Sequence, residues 1–143
     1  EVAYYALPGC RARHNAAYWS GDEYLGIGPA AHSFNGKSRR WAAASIDGYL
    51  PGAGTEAIYA QERLTARDRY SEYLMTRLRT AEGLELAAGE TRFGNERAER
   101  LLRQAEPFMG IGELCFAAGR LAIPAEKFLV SAAVIGALFE ADD

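Results

Sequence analysis

Two cysteines, Cys10 and Cys115, are all the thiols in this chain of 143 residues. So few, in unrelated contexts, make neither a disulfide framework nor a metal pattern. They fit a reducing compartment, and a cytoplasmic setting is the expectation. Long apolar runs are missing as well. The longest, Phe128 to Phe139, is twelve residues, too short to span a bilayer. There is no excess of positive charge: 16 basic side chains face 19 acidic ones, a net charge of -3. That balance argues against bulk nucleic-acid binding, which leaves a basic footprint. No Gly-x-x-x-x-Gly-Lys phosphate loop occurs. Ser33 follows His32 but has neither the glycine elbow nor the placed carboxylate of a serine nucleophile. Cys10 and His14 stand four apart, yet a tetrahedral zinc site needs more ligands than lie nearby. No catalytic or metal-ligating residue is therefore assigned, and no repeat or low-complexity tract appears.

What is present concentrates in twenty residues. His14-Asn15-Ala-Ala-Tyr18-Trp19 and Tyr24-Leu25-Gly26-Ile27-Gly28-Pro29-Ala30-Ala31-His32-Ser33 gather aromatics, both histidines and two close glycines with little charge. That composition suits the wall of a site better than a solvated surface. Around it, Val2 to Leu7 reads as a strand stopped by Pro8-Gly9. Residues 14–19 read as a short helix ended by Ser20-Gly21. Glu23 to Ile27 reads as a second, fully buried strand. Phe34-Asn-Gly-Lys37 signals a turn, with Arg39 to Ala43 returning as an edge strand. Ser45 can cap a short helix over Ile46 to Leu50.

Pro51-Gly-Ala-Gly-Thr55 reads as a domain boundary, which divides the chain into residues 1–50, a linker over 51–64 and a helical part over 65–143. In that last part Thr65 caps a helix with Asp68 at its third position. Tyr70, Tyr73, Leu74, Leu78 and Ala81 line one face, and Gly83 ends it. A second helix starts near Asn95, with Ala98, Leu101, Leu102 and Ala105 on a stripe. Glu113 to Phe116 and Arg120 to Ile123 predict a hairpin across Ala117-Ala-Gly119. Pro124 opens a last helix, apolar nearly all round and so expected to be the most buried element. Helices followed by a hairpin and a helix give a winged-helix-like layout, and the fold class is α+β.

The residues His14-Asn15-x-x-Tyr18-Trp19, Tyr24-Leu25-Gly26-x-Gly28-Pro29-x-Ala31-His32-Ser33 and Arg40-Trp41 resemble the oxygen-independent coproporphyrinogen III oxidase-like radical S-adenosylmethionine (SAM) family. They are more similar to its haem-chaperone branch, as is Ala6-x-Pro8-Gly9 ahead of Arg13-His14-Asn15. Leu78-Arg79-Thr80-x-Glu82-Gly83-Leu84, Arg92-Phe93-Gly94 and Gly119-Arg120-Leu121 resemble that family's C-terminal domain. The resemblance runs from residue 1 to about 139 and implies a partial (β/α) barrel closed by a C-terminal domain. On that scheme residues 1–50 are the last barrel strands, and the chain is a C-terminal fragment of a protein of haem or porphyrin metabolism. The resemblance implies SAM, a [4Fe–4S] cluster and haem or a porphyrin as its ligands, with a haem-receiving protein as a possible partner. Two departures stand out. The family's Cys-x-x-x-Cys-x-x-Cys is absent, so this chain alone should be inactive, and Ala42 replaces an expected polar residue.

For the individual positions two readings stay open. Gly26 and Gly28, with Ala31 and His32, either line the SAM site or shape a tight strand-to-loop turn; His32 either points into the site or caps the turn. His14, Tyr18 and Trp19 either contact haem or porphyrin, or fill a structural seam. The whole-chain alternative is a freestanding winged-helix-like interaction or regulatory module. A fragment of a barrel should also leave apolar surface uncovered.

Overall fold

The computed structural model describes residues 5–140. Two compact units emerge, one formed by Gly21–Arg69 and the other by Glu1–Ser20 together with Tyr70–Asp143.

In the first unit three antiparallel strands lie in sequence order, β1 (His32–Phe34), β2 (Ser38–Ala42) and β3 (Tyr59–Arg63). The β1–β2 turn is set by Asn35. Its Oδ1 accepts from the Lys37 and Ser38 amides at 3.1 and 2.8 Å and from Ser38 Oγ at 3.0 Å. Gly36, at φ +78, takes the left-handed position that such a turn needs. Ser45 caps the short α2 (Ile46–Tyr49) by accepting from the Gly48 amide at 3.0 Å, as expected.

Three expectations are corrected in this unit. Glu23 to Ile27 is not a buried strand: only Tyr24 bridges, to Phe34, and Leu25 and Ile27 are 80% and 85% exposed. The run has apolar residues but no continuous ladder among the described residues, so it stays extended and open. β2 is central rather than an edge, because β3 pairs with it from Ser38↔Arg63 to Ala42↔Tyr59. The segment 51–64 therefore carries a strand where a linker was expected. Tyr-Ala-Gln-Glu-Arg offers one good β-former, so composition hides it. The ladder and the Arg40 guanidinium, 3.6 Å from the Tyr59 ring centroid, hold it in place.

In the second unit the predicted opening strand falls partly on residues 1–4, outside the described residues, and Tyr5–Leu7 form no strand. The helix α1 (Arg13–Ser20) follows as expected. The helix α3 (Ala66–Leu78) begins in the first unit and runs into the second. Its start is a capping box. Thr65 Oγ1 accepts from the Asp68 amide at 3.1 Å, and Asp68 Oδ2 accepts from the Thr65 amide at 2.8 Å. The Thr65 amide, with Thr65 Oγ1 also donating to Asp68 Oδ2 at 2.7 Å, holds the Asp68 carboxyl below its ordinary value. Tyr70, Tyr73, Leu74 and Leu78 are buried on one face, while Ala81 lies exposed beyond the helix end.

Next come β4 (Leu84–Glu85), α4 (Leu86–Phe93), α5 (Asn95–Gly110), and the hairpin β5 (Cys115–Ala117) and β6 (Arg120–Ala122). The small sheet has the order β4-β6-β5. Gly83, at φ +67, lets β4 approach β6; an added Cβ there would strike the Leu121 carbonyl oxygen and lie 2.7 Å from Ala122 Cβ. The core collects Leu74, Leu78, Leu84, Leu121, Val134 and Leu138. The last segment is a 3-10 turn, Ala125–Val130, then α6 (Ser131–Ala137). It is not the most buried element. Val134, Ile135 and Leu138 face the core, whereas Leu129 is 87% exposed. A small-residue stripe of Ala and Gly made this helix read as apolar all round, yet only one face has partners. Among the described residues no helix is long and apolar enough to cross a membrane.

Candidate functional site

Four of the predicted site residues lie in the first unit and three in the second, so each group is described within its own unit.

On α1, His14 and Tyr18 share a face because they are four residues apart. Tyr18 Oη lies 3.1 Å from His14 Nε2, and the rings meet edge to face with centroids 4.9 Å apart. Both are exposed, and no residue of this helix is buried. Trp19, next along the helix, is half-buried. The pair is an accessible set of nitrogen and oxygen donors beside aromatic carbon, the chemistry that meets an iron porphyrin.

In the first unit, β-strand alternation sorts the predicted wall onto two faces. His32, Trp41 and Ala60 stand in register on one side, and Ser33, Arg40 and Gln61 on the other. His32 stacks on Trp41, centroids 5.9 Å apart and planes 24° apart. Together with Ala30, Ile58 and Ala60 they line a shallow concavity of about 280 Å³. Gly26 borders a different one, about 320 Å³, with Ser33, Arg40, Tyr59 and Gln61. Gly26 donates its amide to Ser33 Oγ at 3.0 Å. Gly28, at φ +112, starts the turn in which its carbonyl accepts from the Ala31 amide at 3.2 Å. Ala30 is held at φ +59, a conformation that costs a non-glycine residue. Ala42, where a polar residue was expected, is buried; its amide donates to the Ala31 carbonyl at 3.0 Å. The strand thus reaches the His32 segment through its backbone.

Among the described residues no group of three or more His, Cys, Asp or Glu side chains is placed to hold a metal ion. Cys10 and Cys115 are free and exposed.

One charged cluster escaped the sequence reading. Glu140 takes two of the arginines of α5. Arg97 donates from Nε at 2.8 Å and from a terminal nitrogen at 3.3 Å, and Arg100 lies at 2.6 Å. Only Arg103 keeps to its own helix, 3.9 Å from Glu99. A separation of 43 residues between Arg97 and Glu140 leaves no local signal. The Arg97 hydrogen bonds hold the Glu140 carboxyl below its ordinary value, with Arg100 adding to the effect. A depressed carboxylate stabilises the fold above its unfolded-state value, and that stability goes as pH falls through the folded-state value. Glu140→Gln should therefore lose less stability than the parent between neutral and acid pH, as followed by chemical denaturation. Parallel curves for the two proteins would remove the clasp from the pH response.

Residues 64–129 match the HemN C-terminal domain. Through that region the chain is similar to the HemN family. It is 33% identical to the heme chaperone HemW of Mycobacterium tuberculosis (strain ATCC 25618 / H37Rv) over 141 residues, covering 96% of this chain and 34% of that protein. The heme chaperone HemW of Lactococcus lactis subsp. lactis (strain IL1403) is 31% identical over 93 residues, 65% of this chain and 24% of that protein. The chain thus spans about a third of the longer-matching curated relative, and less of the other. Among solved structures, the radical SAM coproporphyrinogen III oxidase (HemN) of Escherichia coli shares its fold. The TM-score is 0.61 at 18% identity, over 82% of this chain and 28% of that one. The mixed α and β architecture is therefore HemN-like, and the sequence resemblance holds at the level of the family.

Proposed function

We propose that this chain is the C-terminal portion of a radical SAM protein of haem metabolism, and that its α1 helix contacts haem. The accessible His14–Tyr18 pair, 3.1 Å apart, is the observation that carries the reading. The relatedness to heme chaperones over 96% of the chain supports it. On this reading the first unit contributes to the wall of a partial (β/α) barrel, with His32 and the Gly28–Ala31 turn that leads to it toward SAM, while Gly26 borders the concavity on the other face. The helical half is a winged-helix-like closing domain.

The flat, small-residue concavity at His32 and Trp41 suits one face of a nucleoside, which SAM would present. SAM with a [4Fe–4S] cluster supplies radical chemistry when both are bound. The cluster does not fit this chain, whose two cysteines make no three-cysteine motif; its ligands belong to another part of such a protein. What this chain's residues do is bind and orient. Leu25, Ile27, Ile46 and Leu50 are each more than three-fifths exposed, as expected of surface that neighbouring strands would cover. An interaction module reading through α5 is less supported, because its arginines are engaged by Glu140 and Glu99.

Titration of the chain with ferric haem tests the proposal. A saturable Soret shift is expected, and it should be largely lost in the double variant His14→Ala/Tyr18→Phe. Absence of any shift with the parent chain, or an undiminished one in the double variant, would sink the haem contact on α1.

A further inference from the structure

The face of the first unit turned away from His32 and Trp41 carries hydrogen-bond donors that the SAM reading leaves unused. Ser33 on β1, Arg40 on β2 and Gln61 on β3 are partners in register and form one row across the sheet. Neighbouring strands lie about 4.8 Å apart, so adjacent members of the row can reach one small group. Together with Tyr24, Leu25 and Tyr59 the row lines the concavity of about 320 Å³, the lower end of ligand-sized cavities. Among the described residues that line it, none is acidic.

Each member of the row can donate. Ser33 Oγ accepts from the Gly26 amide at 3.0 Å, which leaves its own O–H to give. The Gln61 side chain is exposed. Arg40 is the decisive member. Its Nε is buried and has no hydrogen-bond partner, a condition that folded proteins seldom leave unanswered. Its guanidinium carbon lies 3.6 Å from the Tyr59 ring centroid, and a terminal nitrogen lies 3.2 Å from Glu56 Oε1. The stack fixes the plane of the fork, so little side-chain freedom is lost when a ligand arrives. Glu56 is 84% exposed, and an ion pair so open to water is weak. An acid seated in the concavity can compete with it.

We infer that this row is a carboxylate-binding subsite, with Arg40 as the charged donor and Ser33 and Gln61 completing the hydrogen bonds. A planar carboxylate matches the edge of a planar guanidinium. Nothing in the row supplies the second positive charge that a phosphate dianion would call for. Tyr24, Leu25 and Tyr59 give the walls apolar surface, so the acid is one carried on a flat, apolar body. Two sources share that chemistry, a free aryl carboxylate and the propionate arm of a porphyrin. The subsite stands whether or not α1 contacts haem.

Benzoate is the probe, titrated into the full chain with isotope-labelled arginine and followed by NMR. The Arg40 Nε–H resonance, assigned by its loss in Arg40→Gln, should move saturably. Benzamide, of the same shape without the charge, should leave it in place. Arg40→Gln should bind benzoate roughly tenfold more weakly, the worth of a hydrogen bond to a charged group. Because that change also removes the stack on Tyr59, a second variant keeps the row intact. Glu56→Gln should bind benzoate about threefold more tightly, since an exposed competitor has gone. Haemin and its dimethyl ester separate the sources. Displacement of benzoate by haemin alone assigns the propionate, and displacement by both or by neither assigns the free acid. No saturable movement with benzoate, equal binding of benzamide, or unchanged affinity in either variant would overturn the subsite. Equal binding of inorganic phosphate would overturn the choice of a carboxylate.

Discussion

Leu121→Ala is expected to destabilise the unit containing the helical half by about 3 kcal/mol, within the usual range for emptying a buried leucine site. Leu121 has no exposed surface. It sits in β6, the middle strand of its sheet, opposite Leu84 on one side and Phe116 on the other. Its side chain belongs to the cluster that includes Leu74 and Leu78 from α3 and Val134 and Leu138 from the last segment. Neighbours from four parts of the chain cannot all collapse into the void. The Leu121 carbonyl also abuts Gly83, so the backbone has little room to shift toward the gap. For a domain of this size such a loss lowers the melting temperature by roughly 15 °C. A thermal scan would check this, and a drop of only a few degrees would show that the cluster repacks around the loss. The same substitution at Leu129, which is 87% exposed, should leave the melting temperature nearly unchanged.

The parts of this fold that could be read from sequence are those written in local patterns. The Thr65–Asp68 capping box, the stripe from Tyr70 to Leu78 and the Ala98–Leu101–Ala105 spacing each lie within one helix. The hairpin around Ala118 and Gly119 is equally local, with both residues at positive φ. What stayed hidden depends on distant partners. β3 is a strand because β2 lies beside it, and nothing in Tyr-Ala-Gln-Glu-Arg announces that. Glu140 is a clasp because two arginines more than a helix away close on it. Glu23 to Ile27 failed in the opposite sense, having the apolar content of a buried strand without neighbours to bury it. The same division runs through the candidate site. The His14–Tyr18 contact follows from their spacing, whereas the two faces of the β1–β2–β3 sheet, and so the separation of Gly26 from His32, needed the register.

Gly26→Ala is expected to cost about 3 kcal/mol in the first unit, the upper end for forcing an extra methyl into a packed position. The two glycines of Gly-x-Gly are needed for different physical reasons. At Gly28 the reason is conformation: φ is +112 and a Cβ would meet no atom within 4 Å. Alanine there should cost about 1 kcal/mol of backbone strain. At Gly26 the reason is space. A Cβ would collide with the His32 carbonyl oxygen, and it would lie 2.8 Å from the carbonyl carbon and 2.9 Å from the amide nitrogen. All three are backbone atoms of β1, so no side-chain rotation relieves the contact. The segment must lift away, breaking the Gly26 amide bond to Ser33 Oγ and loosening the Tyr24–Phe34 bridge. Amide hydrogen exchange at Tyr24 and Phe34 reads this directly, since each donates to the other's carbonyl, at 3.0 and 2.9 Å. Exchange at both should quicken strongly in Gly26→Ala and little in Gly28→Ala. If Gly26→Ala left both amides as protected as in the parent, the close approach to His32 would not be what requires glycine there. Approach of a bound ligand would then be the stronger account of that position.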